Sequence, residues 1–248
     1  MINNDAMQDD KIINLPKVTV ITVCFNAREA LEMTMNNVAR QDYPNLEYVI
    51  VDGGSTDGSI ELIRNNADKV GRYVSEKDRG IYDAMNKGVA MSGGEWVIFM
   101  NAGDCFATDD VLRRVFSSPV DADVIYGDVV KGDRVCRPHE FKNSHRMCFC
   151  HQSSITRRRC LSDNPFDIKY RMSADFKFFK LMGKLGKKFV YVPLAISRFD
   201  TSGISNTSRS KGLLENIRIV AETDGFIDRM RLLPRLYFVY LMCKLRNK

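Results

Sequence analysis

The sequence predicts an α/β protein built on a mainly parallel sheet flanked by helices, with a less regular second half. Two observations predict it. Through about residue 101, β-branched apolar runs of strand length alternate with helically spaced segments, the pattern of successive βα units. Polar residues also recur where each of these strands should stop, and in parallel sheets ligands bind at that carboxyl edge. Composition agrees, since 248 residues with 44% hydrophobic and 27% charged side chains suit a globular chain with a sizeable core.

The elements follow in order. Val18–Phe25 (VTVITVCF) is a strand, and Ala27–Arg40 has helical spacing that Tyr43-Pro44 ends. Leu46–Val51 repeats the strand pattern, and Ser55 or Thr56 is placed to cap a helix burying Ile60, Ile63 and Ala67. Arg72–Ser75 reads as a short strand, Ile81–Met91 as a helix closed by Gly93-Gly94, and Glu95–Met100 as a buried strand. Beyond Asn101 the pattern predicts a helix over Asp109–Phe116 and strands near Val124–Val130 and Arg134–Arg137. A polar stretch without assigned elements reaches Asn164. Helices then follow at Ser173–Leu185 and Gly212–Glu222, on either side of a strand at Lys188–Val192 and a polar loop at Thr201–Ser210. The expected organisation is an extension over 1–16, one continuous domain over 17–228, and a tail over 229–248.

The net charge of +6 lies in the tail, because residues 229–248 hold six Arg or Lys and no acid. The remainder is neutral, which argues against nucleic acid as a partner. The apolar run Leu236–Cys243 is bracketed by Arg235 and Lys244 and is too short to span a bilayer. Two readings stand: a helix on an anionic cytoplasmic membrane surface, or a segment docked on the protein's own core or on a second subunit in a homodimer. Seven scattered cysteines without a Cys-x-x-Cys spacing read as free thiols in a reducing compartment. Residues 1–15 lack the basic start and apolar stretch of a signal peptide, so the expected location is the cytoplasm, at the inner face of its membrane if the tail binds there.

Asn26, Asp52, Glu76, Asp78, Asn101 and Asp104 fall at the ends of four predicted strands. A single Asp there is usually a turn former or helix cap. Four in register point instead to a crevice for a nucleotide held with a divalent cation. A P-loop is absent, and the turn Asp52-Gly53-Gly54-Ser55-Thr56-Asp57-Gly58 does not fit Gly-x-Gly-x-x-Gly, which disfavours a Rossmann dehydrogenase. His145, Cys148, Cys150 and His151 lack the spacing of a zinc site.

The ordered set VTVITVCFNA (18–27), YVIVDGGSTDGS (48–59), SEKDRGIYDAMNKGVAMSGGEWVIFMNAGD (75–104), CHQSS (150–154) and YRMSADFKFF (170–179) resembles the family 2 inverting glycosyltransferases of the GT-A fold. The likeness is to their bacterial surface-polysaccharide branch and covers residues 17–200. It implies a nucleotide-sugar half over 17–104 and an acceptor half over 105–228. It also implies transfer of a sugar from a nucleotide-diphosphate sugar to an acceptor hydroxyl on a glycan or lipid-linked acceptor, in capsule, exopolysaccharide or lipopolysaccharide synthesis.

Residue by residue, the resemblance assigns Thr22, Phe25, Asn26 and Asp52 to the base and ribose, and Asp78, Arg79 and Asp83 to further donor contacts. The family's Asp-x-Asp or Asp-Asp metal motif reads Asn101-Ala102-Gly103-Asp104 here, which leaves Asp104 as the implied ligand for Mn2+ or Mg2+, with Asn101 and Ala102 as implied nucleotide-sugar contacts and the Asn101 carbonyl oxygen able to assist the metal. Asp175, at the start of a helix, is the implied general base, and its bland alternative is a residue that favours the helix's positive end. His151, Gln152 and Arg198 are the implied acceptor or diphosphate contacts. Arg198, Asp200 and Ser202–Ser205 form a loop that either closes over the donor or has no catalytic part. Two other classes stay open: a nucleotidyltransferase, which lacks its expected Gly-rich first loop here, and a non-catalytic paralogue that binds nucleotide sugar, raised by the single-carboxylate metal motif.

Overall fold

The computed structural model describes residues 15–199 and 209–246. Nine strands form one sheet among them: β1 Val18–Cys24, β2 Leu46–Asp52, β3 Arg72–Ser75, β4 Trp96–Phe99, β5 Cys105–Phe106, β6 Val124–Lys131, β7 Arg134–Cys136, β8 Ser154–Arg157 and β9 Phe189–Arg198. The helices are α1 Arg28–Ala39, α2 Ser59–Asn65, α3 Ile81–Met91, α4 Val111–Val115, α5 Arg158–Asp163, α6 Ala174–Lys184, α7 Arg209–Thr223 and α8 Phe226–Arg246. The sheet runs in the order β3-β2-β1-β4-β8-β6-β9-β5, with β7 beside β6.

The four strands of the first half are parallel, as their βα alternation requires. Beyond β4 the sheet becomes mixed. β8 is antiparallel to both neighbours, β4 and β6, whereas β6 and β9 are parallel. The expectation of a mainly parallel sheet therefore holds for the first half and is corrected in the second, where the chain switches direction at β8.

Each sheet face carries its own apolar layer. On one face, Val18, Val20, Tyr48 and Ile50 pack under α1, α2 and α4 through Leu31, Val38, Leu62, Ile63 and Leu112. On the other, Ile21, Val23, Val49 and Val51 meet α3, α5, α6 and α7 through Met85, Leu161, Phe176, Phe179 and Val220. Helix α3 lies so close to β1 that a Cβ on Gly88 would come within 2.5 Å of Ile21 Cγ2.

Several local expectations need correction. Ser55 and Thr56 do not cap α2, because the helix starts later at Ser59 behind Gly58, and the Ser55 hydroxyl donates instead to Asp52. Ala67 leaves that helix for an exposed 3-10 turn. The polar stretch before Asn164 holds β8 and α5. The strand expected to stop at Val192 continues through Pro193 to Arg198, because the β6–β9 register slips between Tyr126 and Asp128 and leaves Pro193 outside the ladder. Of the loop expected at 201–210, Ser210 is helical and 201–208 lie outside the described residues, as do Asp200, Ser202–Ser205 and residues 1–14. Helix α8 starts at Phe226, before the expected start of the tail, and buries Leu232 and Leu236 against the body.

Candidate active site

The carboxyl ends of β1 and β2 are knitted together by one acid. Asp52 is fully buried and accepts hydrogen bonds from Ser55 N at 3.0 Å, Ser75 Oγ at 2.6 Å, Cys24 Sγ at 3.5 Å and Ser55 Oγ. Burial opposes its charge, but the bonds from Ser55 and Ser75 prevail and hold its carboxyl below the ordinary value. Asn26 adds a second tie. It adopts φ 47°, takes the Thr56 amide on its Oδ1 at 2.9 Å and donates its own amide to Ser55 Oγ. Thr22 is buried on the Val18–Val20 face with its hydroxyl 2.9 Å from that of Tyr48. Of the four residues expected around base and ribose, Asp52 and Thr22 thus point into the protein. Phe25 is 62% exposed at the crevice edge.

Phe25 and Asp78 converge over Gly53. A Cβ there would lie 2.5 Å from Asp78 Oδ2 and 3.3 Å from Phe25 Cδ2, so the missing side chain is what lets the three approach. Asp78 Oδ1 meanwhile accepts from Gly80 N at 2.8 Å. Asp83, in the first turn of α3, accepts from the Arg79 amide and guanidinium, both at 3.0 Å. The Arg79 guanidinium overcomes the opposing effect of burial and lowers the Asp83 carboxyl. Arg79 itself is largely exposed.

At the end of β4 the chain turns back through Asn101–Asp104. Thr34 of α1 organises that turn, donating to the Asp104 carbonyl at 2.8 Å and accepting from Gly103 N at 3.0 Å. Ala102 N bonds to Val23 O, tying the turn to β1. Asp104 is 3% exposed, and Asn101 Oδ1 is buried without a hydrogen-bond partner. Such an orphaned oxygen is costly unless something occupies the space before it. An amide and a carboxylate oxygen on one turn suit a hard divalent cation. No cluster of three His, Cys, Asp or Glu occurs among the described residues, so a metal here would need oxygens from its ligand or water.

The facing wall centres on Asp175, the second residue of α6. Its Oδ1 accepts from the Tyr82 hydroxyl at 2.9 Å and from Phe176 N at 2.8 Å, and its Oδ2 lies 3.7 Å from His151 Nδ1. Its side chain keeps 18% exposure, which leaves it reachable. His151 is packed among Phe99, Phe166 and Phe179 with ring centroids 5.1 to 5.7 Å away. That burial pushes its pKa down, with Asp175 only partly opposing, so the ring is neutral at pH 7. Glu215 of α7 clamps the approach to α6 by accepting from the Arg171 and Met172 amides at 3.0 and 2.8 Å.

Cys150 lies immediately before His151. Its thiol donates to Gln152 Oε1 at 3.2 Å, and burial raises its pKa to about 11, with smaller upward contributions from both Asp104 and Asp175. His151 links the head of α6 to the end of β4, its ring 5.1 Å from that of Phe99 and its Nδ1 3.7 Å from Asp175 Oδ2. Arg198, at the end of β9, is register partner to Cys105 and donates to Gly132 O at 3.0 Å, across the β6–β7 turn. Sequence reasoning missed Tyr82, which reads as one more apolar position of α3, and it missed Cys150 and Glu215.

The sequence profile of Glycosyl transferase family 2 matches residues 19–179, which takes in both walls. The chain belongs to glycosyl transferase family 2. This transferase is 29% identical over 215 residues to the PGL/p-HBAD biosynthesis glycosyltransferase of Mycobacterium tuberculosis, covering 82% of its own length and 84% of the relative's. It is 28% identical over 216 residues to an uncharacterized glycosyltransferase of the same organism, with 82% of each chain covered. In fold it resembles S. aureus TarS 1-349 in complex with UDP-GlcNAc, with TM-score 0.69, 18% identity, and coverage of 89% of this chain and 71% of that one. It also resembles mannosyltransferase PcManGT from Pyrobaculum calidifontis in complex with GDP-Man and Mn2+, with TM-score 0.68, 23% identity, and coverage of 85% and 65%. The transferase shares the GT-A architecture of these neighbours.

Proposed function

We propose that this transferase moves a sugar from a nucleoside diphosphate sugar to an acceptor hydroxyl with inversion at the anomeric carbon, Asp175 serving as general base. The observation that carries the reading is the Asp175 carboxylate, held by Tyr82 beside His151 yet partly exposed, with His151 packed on Phe99 at the carboxyl end of β4. Inversion needs in-line attack, so the proton acceptor belongs on the wall opposite the leaving group. Neutral His151 cannot hold Asp175 as a buried ion pair, and because the Tyr82 hydroxyl and Phe176 amide both bind Oδ1, Oδ2 is the oxygen that would take the acceptor's proton.

On the donor wall, Phe25, Gly53 and Asp78 frame the base, with Arg79 reaching toward the diphosphate. Asp52, Asn26 and Thr22 act as positioning residues that hold the strand-end turns. Asp104 and Asn101 Oδ1 would hold Mn2+ or Mg2+, with Ala102 tying the turn to β1. When bound, the cation supplies charge neutralisation for the departing diphosphate. Support for a cation comes from the Mn2+ of the mannosyltransferase neighbour, and for the donor class from the UDP-GlcNAc and GDP-Man of the two neighbours. His151, Gln152 and Arg198 flank the acceptor side, where a glycan or lipid-linked acceptor would enter.

Calorimetric titration of the full chain with UDP, GDP and TDP, each with and without Mn2+, tests the donor site. Binding of one nucleotide that strengthens with Mn2+, and loses that increment in Asp104→Ala, is the expected result. Folded protein that binds none of them would overturn the reading.

A further inference from the structure

Helix α8 is docked on one side only. Leu232 and Leu236 are buried against the body, while Ile227, Met230, Phe238, Leu241 and Leu245 are 57 to 82% exposed. Their spacing of three, eight, three and four residues keeps them on one flank of a helix turning every 3.6 residues, opposite Leu232 and Leu236. Pro234 falls on the same flank and presents no charge. A row of this size left in water marks a docking surface.

The charges choose the occupant. Residues 226–248 contain six Arg or Lys and one acid, Asp228, which is already engaged with Arg231 at 2.8 Å and with Asn143 Nδ2 at 2.8 Å. Arg231 borders the apolar row, Arg235 extends the basic margin beyond it, and Lys244 closes the other edge, all of them exposed. Two copies meeting through this flank would align Arg235 and Lys244 with like charges and no carboxylates to receive them. An anionic surface with an apolar interior satisfies both features, because basic side chains meet headgroups while the apolar row enters the acyl boundary.

We infer that the outward flank of α8 seats the protein on an anionic lipid surface. The inference does not depend on the reaction proposed above. Helix α8 stacks on α7, whose Glu215 holds the backbone leading into Asp175.

The test is co-sedimentation of the full chain with phosphatidylglycerol vesicles and, separately, phosphatidylcholine vesicles, at 0.1 M and 0.5 M salt. With Arg231 paired to Asp228, Arg235 and Lys244 near an anionic surface predict partitioning roughly thirtyfold stronger to phosphatidylglycerol at low salt. Leu241→Glu and the charge variant Arg235→Glu should each lower it at least tenfold with an unchanged thermal midpoint. Equal partitioning to both lipids, no partitioning, or indifference to both variants overturns the proposal. So does a dimer in analytical ultracentrifugation that Leu241→Glu dissociates, which would make the flank a subunit interface. Nucleotide binding measured on the same variants should be unchanged, so the outcome for the lipid surface is separate from that for the donor site.

Discussion

Replacing Asp175 by Asn isolates the proton-accepting role because almost everything else about the side chain survives. The amide oxygen can still accept from the Tyr82 hydroxyl, now at 2.9 Å, and from Phe176 N, now at 2.8 Å. His151 is neutral through burial, so removing the negative charge strands no cation beside it. Stability should therefore move by under about 1 kcal/mol, the scale of one altered hydrogen bond. What disappears is the base, and positioned bases contribute roughly 10² to 10⁴ in rate, or about 3 to 5.5 kcal/mol of barrier. The assay is release of nucleoside diphosphate at saturating donor and acceptor, paired with calorimetry of nucleotide binding. The expected result is kcat down by about 10² or more with the nucleotide Kd unchanged. A kcat within tenfold of the parent, binding intact, would mean that another group takes the proton.

Three further outcomes follow from the structure. Gly53→Ala should weaken nucleotide binding with little change in thermal midpoint, since its Cβ displaces the Asp78 carboxylate and not the backbone; calorimetry and a melting curve read the two effects. His151 binds its proton more weakly folded than unfolded, so stability should fall as pH drops below the ordinary histidine value of 6.5. His151→Phe, which keeps the packing against Phe99 and Phe166, should flatten part of that fall in urea midpoints taken at pH 7.5 and 5.5. Lys180 and Asp224 form a buried pair at 2.7 Å, and Lys180→Met leaves the carboxylate with Lys184 at 3.2 Å as its remaining cation. A loss near the lower end of about 3 to 5 kcal/mol is expected by urea unfolding, partly recovered by adding Asp224→Asn.

The first half was legible because its physics is local. The runs forming β1, β2 and β4 are buried on both faces and mostly apolar, and β3 and α3 have the bounds expected for them although β3 itself is largely exposed. Strand β8 escaped notice because four residues, Ser154–Arg157, gain their strand character from two partners distant in sequence. Pro193 concealed the second part of β9, since a proline within a paired strand is excluded unless the register slips, and here it does. Among the candidate site residues, Asp104 and Asp175 were singled out through motifs. Tyr82 was not, because a tyrosine at a helix's apolar position gives no sign in sequence that its hydroxyl meets a carboxylate on another helix. The inward turn of Asp52 was equally hidden, because the serines that claim it look like ordinary turn residues.

The insertion of β8 between β4 and β6 has a consequence for how the molecule assembles. Strands β1 to β4 pair through short βα connections and can associate early, whereas β4 cannot meet β8 until the whole chain from Met100 to Ser153 has looped back. Closing so long a loop is slow relative to local pairing. His151 lies immediately before β8, so the step that completes the sheet also delivers the imidazole to the Asp175 carboxylate. A chain arrested before that step would own the strand-end turns of the donor wall and lack the proton-transfer wall, so refolding followed by nucleotide binding should recover ahead of refolding followed by turnover.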